Sequence, residues 1–232
     1  MIPLRDRIPS SSFPIVNITI IVLNVLVFFY EFSLGSDLNN FINDYGLVPA
    51  SLLSSQETGF IDRIYPFFTS MFLHGGWLHL IGNMLYLYIF GDNVEDRMGH
   101  FKYLLFYLIS GFAAAFAQII ANLHSTIPMV GASGSISGVL GAYILFFPKS
   151  RILTLVPIFF FIQLIEIPAF ILLLLWFVIQ FFSGVASLAA TQNTGGVAFW
   201  AHIGGFVAGI ILAKLFQKKG YHRTGWFGRN YS

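Results

Sequence analysis

Six stretches of the chain are long, apolar and nearly free of charge, and they restrict its possible folds more than any other feature. A transmembrane helix needs about 20 consecutive, mostly apolar residues. Because the stretches reach or approach that length, we predict six membrane crossings. They lie at Phe13–Leu34, Gly76–Gly91, Phe101–Asn122, Met129–Phe147, Pro168–Leu188 and Val197–Gln217.

The composition excludes several classes of protein. Of 232 residues, 56% are apolar and only 9% are charged, whereas soluble domains carry about 25% charged residues. Lipid must therefore be the solvent for most of the chain. The absence of cysteine excludes disulfide frameworks, cysteine nucleophiles and thiolate metal sites. A net charge of +2, with no basic run among aromatic residues, argues against nucleic-acid binding.

The basic residues predict the orientation. Six crossings place both termini on one side of the membrane, and basic residues favour the cytoplasmic side. Arg63 is the one Lys or Arg on the opposite side, where it lies among acidic residues. We therefore predict that both termini are cytoplasmic. The other basic residues lie on the side of the termini or at its helix ends: Arg5, Arg7, Arg97, Lys102, Lys149, Arg151, Lys214, Lys218, Lys219, Arg223 and Arg229.

Two long connections join these stretches. The first, Gly35–Gly75, has the composition of a partly structured loop in the outer membrane interface. The second, Arg151–Ile167, is apolar, and we interpret it as a membrane-embedded loop because a further crossing would move the basic tail outside. The expected fold is an all-α polytopic membrane protein, a compact bundle of six transmembrane helices. Residues 1–12 would be a cytoplasmic N-terminal segment, 13–217 the six-span domain and 218–232 a basic cytoplasmic tail.

Polar side chains inside membrane spans often mark function, although many only join helices. In the second span, His79 and Asn83 are four residues apart and share one helical face near its outer end. Such a pair serves either as a helix–helix hydrogen bond or as part of a reactive site. No H-E-x-x-H motif occurs and the span contains no carboxylate to complete a ligand set, so we predict no metal and no cofactor.

The fourth span is rich in small residues around Ser133. Gly131, Gly134 and Gly138 are candidates for close helix packing, since small residues four apart let helices approach. If a regular helix begins only at Ser133, it is too short for the roughly 30 Å hydrocarbon core, so its start would lie below the outer surface. Its unpaired N–H groups and positive dipole end would then favour an oxyanion at Ser133.

The sixth span carries a single histidine, His202, one turn before Gly205 and two before Gly209. A lone histidine in an apolar helix is by default a hydrogen-bonded core residue. If Gly205 and Gly209 pack against the glycines of the fourth span, however, His202 and Ser133 reach the same depth. That arrangement would place a nucleophile beside its base.

These motifs together resemble the rhomboid family of intramembrane serine proteases, in its bacterial, six-span form. The family's patterns occur in order as H-x-x-x-N at His79–Asn83, G-x-S-G at Gly131–Gly134 and A-H-x-x-G-x-x-x-G at Ala201–Gly209. The resemblance implies that Ser133 is the nucleophile and His202 the base. It implies that Asn83 and His79 help the Ser133 N–H bind the oxyanion.

The resemblance also covers Glu95-Asp96-Arg97, which matches the family's E-x-R and implies structural roles for Glu95 and Arg97. The implied substrates are transmembrane segments of other proteins within the bilayer, and the implied location is a bacterial plasma membrane. Two positions depart from the family pattern. Tyr65-Pro66 stands where Trp-Arg is frequent, and Ser137 stands where some members have a tyrosine that stacks on the histidine.

Two other functions remain possible from the sequence. A catalytically silent relative would bind membrane clients with the same fold, without needing Ser133 and His202 together. A channel or small transporter would need polar residues across the whole bilayer, whereas the candidates here gather in the outer half. The sequence does not specify an oligomeric state.

Overall fold

A computed structural model describes residues 1–53, 59–158, 161–189 and 196–218. Within these ranges the chain is mostly helical. Most of the predicted basic tail, including Lys219, Arg223 and Arg229, lies outside the described residues.

The structure describes eight α-helices: α1 (Ile15–Ser33), α2 (Leu38–Tyr45), α3 (Phe60–Thr69), α4 (Trp77–Met98), α5 (His100–Ala121), α6 (Ser133–Phe146), α7 (Ala169–Ala189) and α8 (Phe199–Phe216). Four of them, α1, α5, α7 and α8, are long and apolar enough to cross a membrane. α4 is equally long but ends in a charged turn, and α6 has only 14 residues, about 21 Å. The protein is thus a helical integral membrane protein, and six crossings remain a prediction.

The prediction of an all-α fold was wrong, because a three-stranded antiparallel sheet is present. Its strands are β1 (Ile2–Asp6), β2 (Arg151–Ile158) and β3 (Phe161–Pro168), in the order β1-β2-β3. The expected membrane-embedded loop is therefore a β-hairpin, paired in register from Arg151 with Pro168 to Ile158 with Phe161. The physical reason is its many β-branched residues, which favour strands, and the N-terminal segment, which supplies a third strand.

The first long connection is largely helical. It contains α2 and α3 together with short 3₁₀ turns at Gly35–Asp37 and Pro49–Leu53. The Tyr65 hydroxyl donates to the Asp44 carbonyl (2.8 Å), and the Thr69 hydroxyl donates to the Tyr45 carbonyl (2.6 Å). These hydrogen bonds join α3 to α2. Tyr65, which stands where Trp-Arg is frequent in the rhomboid pattern, thus stabilises the first connection.

The core lies where α4, α5, α6 and α8 meet. Its largest fully buried side chains include Phe90, Tyr103, Phe106, Tyr107 and Tyr143. α6 and α8 approach backbone to backbone: a Cβ on Gly205 would lie 2.1 Å from the Gly134 carbonyl oxygen, and one on Gly209 would lie 2.1 Å from that of Gly138. Only glycine permits this contact, which brings the start of α6 beside α8.

Gly131 does not belong to this helix contact, and its close approach is to α4 instead. It lies two residues before α6, with a φ of +125° that L-residues rarely adopt. A Cβ there would lie 2.7 Å from the His79 ring. Gly131 is thus part of a tight approach between the strand-like segment before α6 and the face of α4.

Candidate active site

Ser133 and His202 lie in direct contact although 69 residues separate them. Ser133 is the first residue of α6, and His202 lies in the first turn of α8. The Ser133 Oγ is 2.9 Å from the His202 Nε2, which is hydrogen-bond distance. His202 is only 8% exposed, so the pair is shielded from bulk solvent.

The other ring nitrogen of His202 contacts α7. The Gln180 Oε1 lies 2.8 Å from the His202 Nδ1, and the Trp176 ring lies 5.9 Å from the imidazole, tilted by 34°. Sequence reasoning missed both residues and left open what orients His202. The available signal was a single carboxamide in a mainly apolar helix, four residues after a tryptophan.

The N-terminus of α6 is buried inside the protein. Ala132, immediately before it, is fully buried, and no side chain caps the helix start. The first N–H groups of a helix have no acceptor within that helix. Since Ser133 begins α6, these free N–H groups and the positive end of the helix dipole lie at Ser133. The Ser137 hydroxyl donates to the Ser133 carbonyl (2.6 Å). Ser137 therefore bonds within its own helix.

His79 and Asn83 face the segment that leads to Ser133. A Cβ on Gly131 would lie 2.7 Å from the His79 Nε2 and 3.6 Å from the Asn83 Nδ2. The Asn83 Nδ2 is also 3.0 Å from the His74 Nε2, and the His74 and His79 rings are 5.1 Å apart. A carboxamide has two N–H donors, so Asn83 keeps one for a further acceptor.

His74 is a third member of this cluster; from the sequence, it was expected to help line a polar cavity with His79, Asn83, Ser133 and Ser135. It lies just before α4 and is 2% exposed; burial lowers its pKa to about 4, and it is neutral at ordinary pH. The Glu31 carboxylate of α1 accepts its backbone N–H (3.1 and 3.2 Å). Glu31, also buried, was the one charged residue in the first predicted span.

A small cavity of about 40 Å³ opens beside Ser133. Ser70, Gly131, Ser133 and Ser135 contribute polar atoms to its wall, and Met71 contributes apolar surface. A cavity of this size with several polar partners is large enough to hold water.

Glu95 and Arg97 lie at the C-terminal end of α4, the opposite end of this helix from His79 and Asn83. The buried Glu95 carboxylate accepts the backbone N–H groups of Val16 (3.0 Å) and Asn17 (2.7 Å), which are the first turn of α1. The Arg97 guanidinium lies over the Phe146 ring at 5.5 Å. Within the described ranges, the His, Asp and Glu side chains form no group of three or more able to hold a metal ion.

The family model described as the Rhomboid domain matches residues 62–219. The chain belongs to the rhomboid family. The match includes α4, α6 and α8, so all the candidate residues of the rhomboid pattern lie inside it.

Individual rhomboid relatives differ in their named roles. RHOMBOID-like protein 1 of Arabidopsis thaliana is 30% identical over 73% of this chain and 41% of its own length. Rhomboid protease AarA of Providencia stuartii is 34% identical over 57% of this chain and 50% of its own. Inactive rhomboid protein 1 of Drosophila melanogaster is 33% identical over 50% of this chain and 8% of its own. The chain thus spans half or less of the length of these curated relatives.

Proposed function

We propose that this rhomboid protein is an intramembrane serine endopeptidase. It would hydrolyse peptide bonds in or next to transmembrane segments of other membrane proteins. The observation that carries the proposal is the 2.9 Å contact between Ser133 Oγ and His202 Nε2 across two helices. A hydroxyl is a weak nucleophile unless an adjacent base takes its proton, and His202 is in the position to do so.

In the acylation step, Ser133 Oγ attacks the peptide carbonyl carbon while its proton moves to His202 Nε2. The carbonyl oxygen becomes an oxyanion, which the N–H groups at the start of α6, with Asn83 and His79, would stabilise. His202 then gives the proton to the leaving amine nitrogen, and the C–N bond breaks. The product of this step is an ester between Ser133 and the substrate.

In the deacylation step, water attacks the ester carbonyl while His202 again takes a proton. The carboxylic acid product leaves, and the proton returns to Ser133. The cavity beside Ser133 supports this step, since lipid supplies almost no water and a buried site needs its own. Because a helix shields its own carbonyl groups, a transmembrane substrate must unwind locally before attack.

The proposed setting is the membrane of a bacterial cell, with both termini in the cytoplasm and six crossings. In that orientation Ser133 and the cavity lie in the outer half of the bilayer. The short α6 supports this placement, because a 14-residue helix leaves part of the hydrocarbon core to a polar site.

The test is cleavage of a model single-span substrate in liposomes, together with fluorophosphonate labelling of Ser133. Wild type should cleave and become labelled, Ser133→Ala should do neither, and His202→Ala should lose at least about 1,000-fold in rate. Ser187→Ala is the control, because this α7 hydroxyl bonds only within its own helix (to the Gly184 carbonyl, 2.7 Å). Cleavage that survives Ser133→Ala would refute the proposal. A folded wild type that is not labelled would favour a silent client-binding rhomboid.

A further inference from the structure

We propose that Gln180 of α7 is a positioning residue, which holds His202 in the one tautomer that can accept the proton of Ser133. This role rests on the proposed protease function and deepens it. It is carried by the 2.8 Å contact between Gln180 Oε1 and His202 Nδ1, on the opposite side of the ring from Ser133.

The apolar surroundings of Gln180 in α7 favour a hydrogen bond between its side chain and His202. It is the only carboxamide in α7, whose other side chains are mainly Leu, Ile, Phe and Val. A polar group in an apolar medium costs about 1–3 kcal/mol when it has no hydrogen bond. Its bond to His202 removes that cost and joins α7 to α8.

The chemistry of the two groups then determines the proton position. A neutral imidazole has one N–H donor and one acceptor nitrogen, and a carboxamide oxygen only accepts. With Gln180 Oε1 facing Nδ1, the proton lies on Nδ1 and the lone pair on Nε2 faces the Ser133 hydroxyl. The other tautomer would direct an N–H at Ser133 and could not act as its base.

The same bond also assists the reaction. When His202 takes the serine proton, the ring becomes positively charged and the Gln180 carbonyl dipole stabilises that charge. Gln180 thus occupies the place that a carboxylate has in a Ser-His-Asp triad, with a neutral group. Trp176, one turn earlier on the same face of α7, packs against the imidazole ring and limits its rotation.

The test compares Gln180→Leu, which removes the acceptor, with Gln180→Glu, which keeps an oxygen acceptor and adds charge. Ser187→Ala on the same helix is the control. The measurements are the rate of fluorophosphonate labelling at Ser133, and kcat and KM for a model substrate from pH 5 to 9. His79 of α4 is the titratable group that acts on His202 electrostatically, so Gln180→Glu is also measured with His79→Gln.

We expect Gln180→Leu to slow labelling and kcat by about 10–100-fold, the equivalent of one lost hydrogen bond, with KM nearly unchanged. In the pH profile of kcat, the acidic limb of this variant should move to lower pH, because the His202 imidazolium loses a stabilising dipole. Gln180→Glu should retain most of the wild-type rate and move that limb to higher pH. In the His79→Gln background the rate itself should be lower, because His79 belongs to the proposed oxyanion site, but the shift of the limb should remain. Ser187→Ala should match wild type.

Several outcomes would overturn the role of Gln180. One is equal labelling of wild type and Gln180→Leu; another is a slower rate in both variants with no movement of the acidic limb, which would indicate a purely structural residue. If Gln180→Leu does not fold, the opposite limb shift in Gln180→Glu still decides. A wild type that is labelled at no serine would instead refute the protease function itself.

Discussion

At the scale of single residues, the site depends on positions where the size or the charge of the side chain is restricted. Gly131 admits the His79 ring against the backbone two residues before Ser133. His74 connects Asn83 on one side to Glu31 through its backbone on the other. Each can be tested with a single substitution.

Gly131→Ala should damage the site. Its φ of +125° is strained for an L-residue, and the new Cβ would overlap the His79 ring. We expect a loss of about 1–3 kcal/mol in stability and a large loss of cleavage, measured by thermal unfolding in detergent and by the liposome assay. Gly82→Ala is the matched control in α4: nothing lies within 4 Å of its Cβ, so it should gain up to about 1 kcal/mol. Equal effects of the two changes would contradict this account.

His74 should make the free energy of unfolding depend on pH. Burial lowers its pKa from 6.5 to about 4, so between these values the unfolded chain binds a proton that the folded protein does not. The free energy of unfolding should therefore rise with pH across this window and fall in acid, by at most roughly 3 kcal/mol. The contribution of His74 alone corresponds to a drop of roughly 6–12 °C in the thermal midpoint in detergent from pH 7 to pH 4.

His74→Gln provides the comparison, because glutamine keeps an acceptor for Asn83 but does not titrate in this range. Its thermal midpoint should depend less on pH than that of wild type. Parallel curves for the two proteins would show that His74 does not cause the acid sensitivity.

At the scale of elements, the decisive contact is between α6 and α8. The glycine pairs let the two backbones touch, and this sets the distance between Ser133 and His202 at the ends of the two helices. The sequence predicted the small residues of this contact because their four-residue spacing is a local pattern. It did not predict the three-stranded sheet, in which β1 pairs with β2 across about 150 residues of sequence.

Gly209→Ala should separate α6 from α8. Its Cβ would lie 2.1 Å from the Gly138 carbonyl oxygen, so the helices must move apart. Overpacking of this kind costs about 1–3 kcal/mol, and a shift near 1 Å can reduce a rate about 100-fold. Labelling of Ser133 and thermal unfolding measure both effects.

Gly184→Ala is the corresponding control at the contact between α7 and α8. The nearest atoms to its Cβ would be 3.3 and 3.4 Å away and belong to the side chains of Ile203, Phe199 and Trp200. A small adjustment accommodates them, so activity should stay within about threefold of wild type. If Gly184→Ala were as harmful as Gly209→Ala, backbone contact would not be the cause.

At the scale of the whole molecule, the N-terminal region connects β2 with the C-terminal end of α4 and the start of α1. β1 pairs with β2, and the Glu95 carboxylate caps the start of α1. Arg7 of this region also forms an ion pair with Glu166 of β3, but both side chains are partly exposed, so the pair contributes little stability. Charge placement, by contrast, predicts how the whole bundle lies in the membrane.

The orientation can be tested directly because the chain contains no cysteine. Ser51→Cys lies in the exposed first connection and Lys149→Cys between α6 and β2, on opposite sides in the predicted topology. A membrane-impermeant maleimide should label Ser51→Cys in intact cells and Lys149→Cys only after lysis. The reverse pattern would show that the termini lie outside.

The sequence by itself determined that the chain lies in lipid and which residues are candidates for chemistry. Apolar runs, charge placement and short motifs are local properties, so the helical membrane fold and the pairing of Ser133 with His202 could be predicted from them. Only the tertiary structure decided which side chains form hydrogen bonds with the residues of the site. Gln180 lies 22 residues from His202, and Glu31 lies 43 residues from His74. Such partners are selected by packing of distant helices, which no local pattern encodes.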